Sequence, residues 1–191
     1  MANKKTTTNN KTNNRQKSTN TKPNVEPKTN DMAVTSKPVT KDIDLTQYIT
    51  VLNGYHGKLN YQSSRTGETF KWSNFGAEQE MELRELRNAK NTHKKFFEKN
   101  WFMFDDEFKW VINYLGVGQY YKNAIDIADF DDIFQKSADE LKEVVMKLSE
   151  GQKKAVAFRA KTLIDEGEID SNKTIRTLEE ILQVELIQRH D

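Results

Sequence analysis

Residues 96–121 read FFEKNWFMFDDEFKWVINYLGVGQYY, and 10 of the chain's 19 aromatic residues fall within these 26 positions. Each ring can bury on the order of 150–250 Å², and at about 25 cal/mol per Å² a handful of rings dominates a small core. The stretch is therefore a core organiser, and the segments on either side of it are expected to fold onto it. Within it, Asp105 and Asp106 read as start signals for a helix carrying Phe108, Val111, Ile112 and Leu115 at the spacing i, i+3, i+4, i+7. Gly116 and Gly118 end that helix, and a short second one follows through Tyr120, Tyr121 and Ala124. The residues of the band that could be exposed for docking are Trp101, Phe102, Tyr120 and Tyr121, because aromatic side chains are enriched at interface centres.

On the N-terminal side, residues 48–72 hold three short β-type runs, YITVLNG, GKLNYQS and ETFKW, punctuated by Asn53-Gly54, Gly57 and Arg65-Thr66-Gly67. Leu59 with Tyr61 and Phe70 with Trp72 recur at a spacing of two, which puts each pair on one sheet face. The expectation is a three-stranded antiparallel meander covered by a helix over residues 75–90, with Leu83, Leu86 and Ala89 as its apolar stripe. His93, Lys94 and Lys95 then read as that helix's solvated C-terminal turn.

On the C-terminal side, Ser137 with Glu140 forms a capping box ahead of Leu141, Val144, Val145 and Leu148. Ser149 with Gln152 repeats it for a helix bearing Val156, Ala160, Leu163 and Ile164, stopped near Gly167. A third helix begins near Asp170 or Ser171 and carries Ile175, Leu178 and Leu182, with an apolar tail at residues 184–187 expected to dock on the body. The predicted class is α+β: a small three-stranded antiparallel meander, then a mostly helical body with a C-terminal three-helix unit. The predicted organisation is a disordered basic Asn/Thr/Lys-rich arm at residues 1–45, a meander with an aromatic-rich helical region at 46–135, and a helical unit at 136–191.

The arm follows from composition. Residues 1–40 hold 8 Lys/Arg against 2 acids, leaving 22 against 27 for the remaining 151 residues. All three prolines lie in the arm, and too little there can pack to offset about 1–2 kcal/mol of backbone entropy per residue. Its charge could meet nucleic acid or an acidic protein. With no Cys there is neither a disulfide framework nor a thiolate metal site. No apolar run is long enough for a spanning helix or a signal peptide, so no membrane partner is expected and synthesis is assigned to a cytoplasm.

No bond-making centre is evident. His56, His93 and His190 sit in three separate segments without a second ligand at helical spacing. Asp126, Asp129, Asp131 and Asp132 lack the central Gly and terminal Glu of a calcium loop and read as helix caps. Gly116-Val117-Gly118 is too short to cradle phosphate. No cofactor, metal or enzymatic activity is expected. A helix, turn, helix arrangement over residues 152–183 raises a DNA-binding alternative in which Asn172, Lys173 and Arg176 are presented from Ser171 onward. Glu179 and Glu180 on the same helix, and the acidic body, weigh against it.

The residues Ser64-Arg65-Thr66-Gly67, Trp72, Phe75-Gly76, Phe96-Phe97, Asn100-Trp101, Tyr114-Leu115-Gly116-Val117, Tyr120-Tyr121-Lys122 and Asp170-Ser171 resemble a family of small proteins from tailed bacteriophages of low-GC Gram-positive hosts. The resemblance spans about residues 48–188 and leaves out the arm. It implies a virion structural or assembly protein of the head, neck or tail, located in the virion and acting as a homo-oligomer with other virion proteins. A DNA-binding regulator, or a phage protein modulating a host factor, is the alternative.

Overall fold

The computed structural model describes residues 43–187. The expected arm up to residue 42 and His190 lie outside them. Antiparallel strands followed by a helical body give an α+β architecture, as the sequence predicts. In order the elements are β1 (Tyr48–Asn53), β2 (Leu59–Gln62), β3 (Thr69–Trp72), β4 (Glu78–Glu82), α1 (Leu83–Thr92), α2 (Lys95–Glu98), β5 (Phe102–Met103), α3 (Trp110–Leu115), α4 (Gly118–Tyr121), a 3-10 turn at Asp131–Gln135, α5 (Ala138–Met146), α6 (Glu150–Asp165) and α7 (Asn172–Leu182).

The three strands expected at residues 48–72 all form, but they do not pair as one meander. The three-stranded sheet is β4-β1-β5, and β2 with β3 makes a separate antiparallel hairpin. Both edges of β1 are already taken at the point where the chain would have to turn back. Asn53 N donates to Ala77 O at 2.9 Å on one side, and Gly54 N donates to Trp101 O at 2.8 Å on the other. The hairpin packs with the sheet in a shared core, and the Trp72 indole N–H donates to Val51 O at 2.8 Å. Its register, Leu59 opposite Trp72 and Tyr61 opposite Phe70, follows the spacing of two seen in the sequence.

The helix expected over 75–90 also needs correction. Its first part is β4, in which Met81 faces Ile49 across the ladder and both are fully buried. Only from Leu83 onward does the period of three take over, with Leu83, Leu86 and Ala89 buried on one side of α1. In the aromatic band, Asp105 Oδ1 accepts from Phe108 N at 3.2 Å, so it opens a turn, and α3 itself begins at Trp110. Gly116 ends α3 in the left-handed conformation, φ 66°.

Two apolar cores lie among the described residues, within one compact unit. The first joins the strands, α1, α2 and the aromatic band. The second joins α5, α6 and α7, and it includes Phe130, Ile133 and Phe134, so a boundary at residue 135 does not separate the cores. Ser137 with Glu140 forms the full box, and Ser149 accepts from Gln152 N but the expected second box is not completed, because the Gln152 side chain bonds Ile125; Ser171 accepts from Thr174 N.

One buried charge sits against the first core. Glu85 is 2 % exposed. Its Oε1 accepts from Tyr61 Oη at 2.7 Å and Asn88 Nδ2 at 3.0 Å, and its Oε2 lies 3.1 Å from Arg65 Nη2. Burial works to raise its pKa, but the hydrogen bonds from Tyr61, Asn88 and Ser63 and the Arg65 charge together hold it below the ordinary 4.5. A carboxylate depressed in this way contributes stability that is complete above pH about 4.5 and fades as pH falls through its lower folded value. Glu85→Gln is therefore expected to cost about 1–3 kcal/mol at pH 7, since it weakens charge-assisted hydrogen bonds in a buried site. Urea midpoints at pH 7 and pH 3 check this: the gap between wild type and variant should narrow at the lower pH.

Candidate functional groove

Three distant segments meet at the turn between α2 and β5. Asn100 is fully buried there with φ 52°, a conformation few non-glycine residues adopt. Its Nδ2 donates to Tyr120 O at 3.0 Å, which ties the turn to α4. Gly54, just after β1, and Gly151, in the first turn of α6, press on the same turn from two other directions. Gln152 fixes the approach of α6: its Nε2 donates to Ile125 O at 2.7 Å and its Oε1 accepts from Ile125 N at 3.0 Å.

This convergence leaves a groove of about 700 Å³ on the surface. One wall is Tyr55 and His56, from the loop after β1. A second is Lys99 and Trp101. The third is one face of α6, where Lys154, Phe158 and Lys161 stand at i, i+4 and i+7. The rim is Val184, Glu185 and Leu186. Gln183 takes the left-handed conformation and reverses the chain after α7, and the Leu186 N–H donates to Glu179 Oε1 at 3.1 Å. Leu186 is buried as the expected docking tail requires, whereas Val184 stays 40 % exposed.

The groove is aromatic and cationic. Tyr55 and His56 rings lie 4.1 Å apart, His56 and Phe158 5.5 Å, and Tyr55 meets Trp101 edge-on at 5.5 Å. Phe158 is nevertheless 54 % exposed. Burial, and then the Lys154 charge, push His56 below its ordinary pKa, so at neutral pH it is an uncharged ring. Lys99, Lys154 and Lys161 form no ion pair with a described residue, whereas Glu150 is paired to Lys153 at 3.2 Å. Across Phe158 and His56 lies a second hollow of about 470 Å³, with Phe75, Ile127 and Phe130 on its walls and the Arg159–Asp131 ion pair at 2.6 Å beside it.

Of the residues the sequence offered for docking, Trp101 lines the groove. Phe102 does not belong to any surface: it is fully buried, because its ring fills the space among Tyr61, Trp72, Phe96 and Phe97. Tyr121 is turned inward, donating its phenol to Phe102 O at 2.7 Å, and burial raises its pKa. Tyr120 is partly buried against the first core, with Lys94 over its ring at 5.6 Å. On α7, Arg176 is exposed, and Lys173 lies 3.8 Å from Asp139 of α5.

The aspartates expected to cap helices instead make ion pairs where they have partners, Asp126 with Lys109 at 2.7 Å and Asp131 with Arg159. Among the described residues, no three His, Cys, Asp or Glu side chains gather closely enough to hold a metal ion. Among them, too, no helix is long and apolar enough to cross a membrane. No family model, curated protein or solved structure matches the chain.

Sequence reasoning passed over Phe158, and a signal for it exists. It falls two residues past Val156, off the stripe of Val156, Ala160 and Leu163, with lysines four before and three after it. That pattern places Phe158 off the buried stripe of α6 and among cations.

Proposed function

We propose that this chain is a structural or assembly protein of a bacteriophage particle, of the head, neck or tail, and that it works through protein–protein contacts. The observation that carries the reading is the groove, in which a half-exposed phenylalanine and partly exposed Tyr55, His56 and Trp101 are flanked by three lysines that form no ion pair among the described residues. Exposed apolar surface in a concave site gains when another protein covers it, and burying the free part of the Phe158 ring alone contributes on the order of 1 kcal/mol. The uncommitted charges add selectivity for an acidic partner surface. The resemblance carried by Ser64-Arg65-Thr66-Gly67, Asn100-Trp101 and Tyr114-Leu115-Gly116-Val117 supplies the kind of assembly.

Mass spectrometry of purified particles tests this. The chain is expected in the particle in many copies, and Phe158→Ala is expected to reduce the number retained. Absence from both mature particles and assembly intermediates would overturn the proposal.

A further inference from the structure

We propose that a second copy of this chain fills the groove, seating the acidic outer face of its own sheet there in a head-to-tail contact. This names the partner at the site just described and rests on that reading.

Two surfaces of the molecule match each other in charge and in aromatic character. In the β1–β4 ladder, Tyr48 stands opposite Glu82, Thr50 opposite Glu80, and Leu52 opposite Glu78. Side chains alternate across a strand, so these glutamates rise on the face away from buried Ile49, Val51 and Met81. Glu82 is committed to Arg84 and Arg65. Glu78, Glu80 and the neighbouring Glu68 are exposed and form no ion pair with a described residue. Among them stands Tyr48, 60 % exposed, in a depression it shares with Glu68, Phe70 and Glu80 and with the ion-paired Arg65 and Arg84.

One surface is thus an aromatic side chain with three carboxylates that form no ion pair among the described residues, beside the paired Arg65 and Arg84, and the other an aromatic hollow with three such ammonium groups against one such carboxylate, Glu185. Tyr48 and the groove lie at opposite ends of β1, and Glu80 and Glu78 stand along the ladder between them, opposite Thr50 and Leu52. Tyr48 opens the strand, and the groove begins at Tyr55 just past its end at Asn53, about 17 Å away at about 3.3 Å per residue. In a head-to-tail contact one groove takes one patch, so each pair leaves a groove free on one copy and a patch free on the other, and the contact repeats into a ring or filament.

Sedimentation velocity on the full chain tests this with two neutralising variants, Lys154→Ala/Lys161→Ala in the groove and Glu68→Gln/Glu80→Gln on the patch. All four side chains are exposed, and near-ultraviolet circular dichroism confirms that the fold is kept. Wild type is expected to form species larger than a dimer in about 20 mM salt and to dissociate in about 0.5 M, where the screening length is only a few ångströms. Each variant alone should associate about tenfold or more weakly. An equimolar mixture retains one intact patch facing one intact groove, so it should form a 1:1 dimer and nothing larger.

A wild-type chain that stays monomeric in low salt overturns the proposal. So does a mixture that stays monomeric or grows beyond two copies. If the chain is monomeric yet present in particles and stripped from them by Phe158→Ala, the head-to-tail contact falls and the assembly reading stands. If it self-associates as described but is absent from particles, the reverse holds.

Discussion

Gly151→Ala is expected to lower the unfolding free energy by about 3 kcal/mol or more, and Gly54→Ala to do the same, at the upper end of overpacking effects. Neither glycine is there for a left-handed backbone. An ideal Cβ on Gly151 would stand 1.9 Å from Lys99 O, and one on Gly54 would stand 2.0 Å from Asn100 O and 2.7 Å from Met103 Cγ. The atoms in the way are mainly backbone and cannot rotate aside. They belong to one turn, whose Asn100 is already held in an unfavourable conformation by burial and by its bond to Tyr120 O. Gly57→Ala is the control, since its Cβ would meet only the Tyr55 ring at 3.5 Å, and it should cost less than about 1 kcal/mol. Urea midpoints at constant slope measure all three. If Gly151→Ala and Gly54→Ala unfold where Gly57→Ala does, the turn is not clamped as described. The double variant should cost less than the sum of the two, because relieving one clash displaces the turn from the other.

The same turn shows where reading a sequence stops. Helix caps, the shared face of Leu59 with Tyr61 and the end of α3 are local, decided by residues within four or five positions, and they are legible at Ser137, Ser149, Ser171, Tyr61 and Gly116, although at Ser149 the expected box is only half made because the Gln152 side chain bonds Ile125 instead. The partners of β1 were not. β5 supplies only two residues, nearly fifty positions downstream, and β4 hides its alternation among glutamates that read equally well as the solvated side of a helix. That one misreading also concealed the acidic ladder, since Glu78, Glu80 and Glu82 share a face only if the segment is a strand. Gly54 was legible as a turn residue. Gly151, inside a helix, carries no local signal, because what forbids a side chain there is the carbonyl of Lys99 arriving from another element. The groove is missed for the same reason: its walls come from three segments that only the fold brings together.

Phe102→Ala and Phe158→Ala should behave as opposites, although both remove a benzyl group. Phe102 is fully buried, with ring centroids of Phe96, Trp72, Phe97 and Tyr61 at 4.8, 5.4, 5.5 and 5.6 Å. Truncating it leaves a cavity walled by rings that cannot close in without leaving their rotamers, so a loss of about 3–5 kcal/mol is expected. The nearby Tyr61 hydrogen bond to Glu85 should loosen with it, which would make the variant less stable still as pH rises above the carboxylate range and Glu85 ionises without its donor well placed. Among the described residues Phe158 has a single ring neighbour, His56 at 5.5 Å, and more than half of it meets solvent. Its truncation should change the urea midpoint by less than about 1 kcal/mol. Self-association and retention in particles should suffer instead, because an interface draws most of its energy from a few aromatic anchors. Measuring stability and sedimentation on both variants separates the two roles. A Phe158→Ala chain that is strongly destabilised, or that associates as tightly as wild type, would return this ring to the ordinary work of holding one molecule together and leave the groove without an anchor.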